Sequence, residues 1–161
     1  MISYEKVRQS FRSLNLVIIT LESIFTALTF LGLISIIFLK TSGELDTSQM
    51  SAEQVAAIQQ STSPFTIFIT VVSLALMIAI IVFAARNLSR LKKNSELTYL
   101  PYYLGFGLVA INLISTLASG QAFKPAALIG YLIQLAFVAL YYFSYSKAKT
   151  LNHKPEQASE A

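Results

Sequence analysis

Cysteine and tryptophan are absent from this 161-residue chain, histidine occurs once, and charged residues make up only 12% of it. Each scarcity removes a class of chemistry. Without cysteine there is no disulfide, no thiol nucleophile and no zinc–thiolate site. The lone histidine, His153, stands in a polar tail, so imidazole-based triads and H-E-x-x-H metal sites are missing too. No G-x-S-x-G elbow and no phosphate-binding glycine loop occurs. The expectation is a non-enzyme with no cofactor and no metal. The charged fraction is about half that of a soluble domain, while 55% of the residues are hydrophobic and mean hydropathy is +0.62. So few charges cannot cover so much apolar surface in water, whereas lipid tails solvate it directly.

What the chain has instead is long runs without charge. A bilayer core takes about 20 mainly apolar helical residues, and four segments meet this: residues 14–39, 64–85, 101–119 and 125–143. Glu22 is the one formal charge in all four. The last three open at Pro64, Pro101 and Pro125, suited to a first helical turn because the missing N–H would be unpaired there anyway. Ser63 is positioned as the N-cap of the second. The first run exceeds the roughly 7–15 apolar residues of a cleavable signal, and no small-x-small site precedes "KTSGELD", so it is expected to remain as an anchor. The fold class that follows is all-α: a polytopic membrane protein, one four-helix transmembrane domain over residues 1–145 with a polar tail at 146–161.

Lysine and arginine set the expected orientation. Residues 1–13, the basic loop 86–100 and the tail hold ten of the 12 basic residues, against Lys40 and Lys124 on the other side. By the positive-inside rule both termini are cytoplasmic. Seven of the eight tyrosines fall near that same interface, where the ring is buried and the hydroxyl wet. Absent cysteine and tryptophan point to a bacterial plasma membrane. The net charge of +4 gives no reason to invoke nucleic acid, since its distribution is that of a topology signal. Arg86, Arg90, Lys92 and Lys93 are candidates for lipid headgroups, or serve topology alone. The external segment 40–63 is polar, and "SAEQVAAIQQ" within it predicts a short helix near 51–59, with Ser51 and Gln54 as a capping box.

Each span carries one small or polar stripe. Asn15, Glu22, Thr26 and Thr29 share a face of the first; Thr66, Thr70, Ser73 and Met77 of the second. Gly105, Asn112, Ser115 and Ser119 line the third, and Gly130, Gln134 and Tyr141 the fourth. Turning four stripes inward leaves four greasy faces for lipid. Glu22, Asn112 and Gln134 then lie roughly 12–16 Å from the cytoplasmic ends, forming a candidate intramembrane polar cluster with Thr26, Thr29, Ser73 and Tyr141. An ionised carboxylate at helix centre costs about 2.5–3.5 kcal/mol, so a neutral Glu22 donating a hydrogen bond to Asn112 or Gln134 is one expectation. Its role is either a structural bond that fixes packing, a contact with a partner subunit, or a titrating group.

The "LES" of a first apolar helix and the helix count resemble the small multidrug resistance transporters. The long external segment, the charge bias and the missing tryptophan separate the chain from them, and no family is assigned. The leading expectation is a protein acting through contacts in the bilayer, as an accessory, regulatory or immunity-type subunit. Its partner is another membrane protein or a second copy. The alternative is a small proton- or cation-coupled transporter that uses Glu22.

Overall fold

The computed structural model describes residues 4–42, 50–119, 123 and 125–153. Glu44, Asp46, most of the "GQAFKP" connection with Lys124, and the tail from Lys154 lie outside the described residues. The described chain is all-α. Five helices follow one another: α1 (Tyr4–Ser42), α2 (Ala52–Ser61), α3 (Pro64–Lys92), α4 (Leu100–Ala118) and α5 (Pro125–Asn152). All but α2 are long and apolar enough to cross a membrane. Those four form a ring in which α1 packs on α3 and α5, and α4 packs on the same two. The helix ends near Tyr4, Lys92, Leu100 and Asn152 make up what we call the terminal end; Ser42, Pro64, Ala118 and Pro125 mark the far end.

A seam of nearly heptad spacing explains why the helices run past the apolar runs. On α1 the buried positions are Val7, Phe11, Asn15, Ile18 and Glu22; on α3 they are Ser73, Met77, Ile80, Ala84, Asn87 and Leu91. Tyr141, Ser144, Ala148 and Leu151 continue the pattern on α5. Alternating steps of three and four residues keep one face toward its neighbours in a left-handed bundle. The seam does not stop where charge begins. Hence the 86–100 segment is helical through Lys92, and the polar tail is helical through Asn152. At about 1.5 Å per residue α1 is roughly 58 Å long and α3 roughly 43 Å, well beyond a hydrocarbon core of about 30 Å.

Local chemistry sets the remaining boundaries. Ser63 caps α3 by accepting from the Thr66 amide at 3.2 Å, with Pro64 at N1. Ser51 and Gln54 form the reciprocal capping box at the start of α2, at 2.9 and 3.3 Å. α2 buries no residue of its own; it leans on the far end, where Gln60 Nε2 donates to the Ser119 carbonyl at 3.3 Å and Thr66 Oγ1 donates to the Gln60 carbonyl at 2.9 Å. After α3, Asn94 takes φ 52°, a left-handed conformation its short amide side chain tolerates.

Burial divides the bundle in two. Among the described residues, none beyond Glu22 on α1, before Ser73 on α3, beyond Val109 on α4 or before Tyr141 on α5 is buried. The terminal half is a packed core. In the far half the same faces are only half-buried, because Thr29, Thr66, Thr70, Ser115 and Gly130 are too small to fill the space between helices.

Candidate functional site

The boundary between the two halves is where the polar cluster lies. Glu22 is 1% exposed, on the inner face of α1. The Tyr141 hydroxyl on α5 donates to Glu22 Oε1, so the carboxyl ties α1 to its neighbour α5. Gly105 makes this geometry possible. A Cβ there would come within 2.5 Å of the Tyr141 ring, so only a residue without one lets the ring lie flat against α4. Phe106 and Phe137 flank the same ring, with centroids 6.1 and 5.9 Å away, and Phe25 meets Phe137 edge-on at 5.6 Å. The carboxyl thus sits in an aromatic setting with a single phenolic donor.

Beside it is a cavity of about 60 Å³, lined by Glu22, Asn112, Gln134 and Tyr141 together with Met77 and Phe137. That volume holds a few waters at about 10–15 Å³ each. Glu22, Asn112, Gln134 and Tyr141 therefore share one place. The bond from Glu22 goes to Tyr141 rather than to Asn112 or Gln134, which face the cavity instead and make no side-chain hydrogen bond among the described residues. Thr26, one turn beyond Glu22, has its hydroxyl buried without a partner. A lone hydroxyl in that state costs about 1–3 kcal/mol, a penalty that a water or a bound group in the bundle would relieve. Thr29 is half-buried and Ser73 is buried on the α3 seam.

Arg86, Arg90, Lys92 and Lys93 do not converge on one point. Arg86 stacks over the Phe83 ring at 5.6 Å, and Arg90 reaches the Glu96 carbonyl at 3.4 Å. Lys92 turns toward α1, while Lys93 is the exposed C-cap of α3. Among the described residues no group of three His, Cys, Asp or Glu side chains could hold a metal ion.

A second polar network, missed by sequence reasoning, ties the terminal half together. The Tyr102 hydroxyl donates to Asn15 Oδ1 at 3.0 Å and accepts from Asn87 Nδ2 at 3.3 Å. Asn87 also clamps the Thr98 peptide, donating to its carbonyl at 2.8 Å and accepting from its amide at 2.9 Å. Asn152 does the same to Leu97, at 2.9 Å on both sides, and donates to the Tyr99 hydroxyl at 3.0 Å. Two amide side chains thus mimic a strand partner for the α3–α4 loop, satisfying backbone groups that would otherwise be buried unpaired. The available signal was the heptad: carried on from Ser73, it reaches Asn87 and places that residue inside.

No family model, curated protein or solved structure matches this chain.

Proposed function

We propose that the chain is a multi-pass protein of a bacterial plasma membrane, with both termini cytoplasmic, that acts through helix contacts with another membrane protein or a second copy of itself. Four apolar helices and the skewed lysine and arginine distribution support the placement. The observation that carries the contact reading is the division of the bundle. The terminal half is closed by its own side chains, while the far-half faces carry small and polar residues at packing positions and bury none of them. Small-residue faces are the surfaces on which membrane helices approach closely. A groove of about 520 Å³ between α2, α3 and α4, lined by Glu53, Ala56, Gln60, Thr66, Ser115 and Ser119, extends that face to the external segment. On this reading the Glu22–Tyr141 bond is structural, closing the packed half at its upper boundary.

Photo-crosslinking residues placed at Ser115 or Gly130, both half-buried on the seam, test this in native membranes. They should yield a protein adduct of defined mass. The same probe at Ile114 or Leu132, 65% and 68% exposed on the opposite faces, should yield none. Equal adducts from all four positions, or none from the seam, would reject the proposal.

One observation favours a second reading. The cavity joins the buried carboxyl of Glu22 to two unpaired amides, a donor set suited to passing a proton or seating a cation. On that reading Glu22 is the coupling group of a small transporter.

A further inference from the structure

A groove of about 240 Å³ runs between α1 and α3 at the terminal end, walled by Glu5, Arg8, Arg12, Leu16, Leu88 and Lys92. Its cations come from both helices and are differently engaged. Arg8 Nη2 donates to the Leu91 carbonyl at 2.8 Å, an acceptor in the last turn of α3 that it shares with the Asn94 amide, and this uses one of five guanidinium donors. Arg12 and Lys92 make no hydrogen bond or ion pair among the described residues, and both are exposed.

The walls are ordered along the helix axes. One turn further into the bundle from Arg12 is Leu16; one turn further in from Lys92 is Leu88, each about 6 Å along its helix. Leu16 is 46% exposed, so an apolar surface continues below the cationic rim. Glu5 lies about 10 Å back along α1 from Arg12, on the aqueous side. Three cations and one carboxylate leave two net positive charges over the groove, suited to one monoanionic group and not to a cluster of phosphates. Cations at the interface with a greasy channel beneath them match the two ends of a phospholipid.

We propose that this groove binds a single anionic phospholipid from the leaflet at the terminal end, its phosphate on Arg12 and Lys92 with Arg8 alongside, and an acyl chain along Leu16 and Leu88. The inference rests on the chain residing in a bilayer and is independent of what the far-half seam contacts. The groove also bridges α1 and α3 where neither helix has a covalent neighbour in the other, so a bound lipid clasps the terminal end. Arg86 and Arg90 take no part, being engaged by Phe83 and the Glu96 carbonyl.

The full chain, purified in mild detergent and supplemented with phosphatidylglycerol or phosphatidylcholine, tests this by native mass spectrometry. One phosphatidylglycerol per chain should survive delipidating activation, with phosphatidylcholine lost. R12Q/K92Q should weaken phosphatidylglycerol retention about 30-fold, two cations at about 1 kcal/mol each. R86Q/R90Q, also exposed, should leave it unchanged. Equal retention of both lipids, equal loss in the two double variants, or displacement by millimolar glycerol phosphate would each overturn the assignment. The last outcome would make the site one for a soluble phosphate.

Discussion

Adding one methyl group at residue 105 tests how the buried carboxyl is held. In Gly105→Ala the new Cβ would stand 2.5 Å from Cε2 and Cζ of Tyr141 and 2.6 Å from Cε1, against an ordinary contact of 3.4–4 Å. The ring must retreat by about 1 Å, but Tyr141 is fully buried between Phe106 and Phe137. Overpacking of this kind costs about 1–3 kcal/mol. Movement of the ring also withdraws its hydroxyl from Glu22, and a buried acceptor left alone costs about 1–3 kcal/mol more. Alanine's better helix propensity returns about 1 kcal/mol. The net expectation is a loss of about 1–5 kcal/mol. Gly107→Ala is the matched control, because a Cβ there meets nothing within 4 Å. Thermal unfolding followed by circular dichroism in mild detergent should place Gly105→Ala well below wild type and Gly107→Ala at or above it. Equal stability of the two variants would refute the close packing of Tyr141 on α4 and, with it, the positioning of Glu22.

Three further outcomes follow from the same geometry. Asn152→Ala leaves both polar groups of Leu97 without their clamp and should destabilise by about 2–4 kcal/mol in the same assay, with Asn87→Ala similar; a loss under 0.5 kcal/mol would discount the network. Ser51→Ala removes the capping box of α2, which buries nothing, so hydrogen exchange should quicken in α2 while global unfolding stays put. In intact cells of the native topology, an impermeant thiol reagent should label Gln59→Cys and spare Lys149→Cys in this cysteine-free chain; the reverse pattern would invert the proposed orientation.

Much of the architecture was legible because four long runs almost free of charge are a coarse signal of long apolar helices, and four such helices are present. Pro64, Ser63 and the Ser51–Gln54 pair marked helix starts for equally local reasons, and those caps are formed. Helix ends were harder. Hydropathy marks only the apolar runs, whereas α3 and α5 continue as far as packing does, and Leu91, Ala148 and Leu151 are buried beyond those runs. The stripes that hold Glu22 on the first span, Asn112 on the third, and Gln134 and Tyr141 on the fourth could be placed on inward faces from periodicity alone. Which of them would bond could not, because that depends on Gly105 admitting the Tyr141 ring, a tertiary contact with no trace in spacing. Asn87 and Tyr102 were hidden for a related reason: a residue of the basic loop and a tyrosine near the interface are surface patterns, and the network that buries them joins three helices and a loop.

The division between a contact protein and a transporter comes down to one carboxyl group. Glutamine at position 22 keeps the size and an acceptor for the Tyr141 hydroxyl but cannot titrate. Purified wild type and Glu22→Gln, reconstituted into liposomes under an imposed pH gradient, give the most direct test. The contact reading predicts that neither protein carries protons above empty liposomes and that the two unfold within about 1 kcal/mol of each other. Proton flux in the wild type that vanishes in an equally stable Glu22→Gln would contradict it and make Glu22 the coupling group.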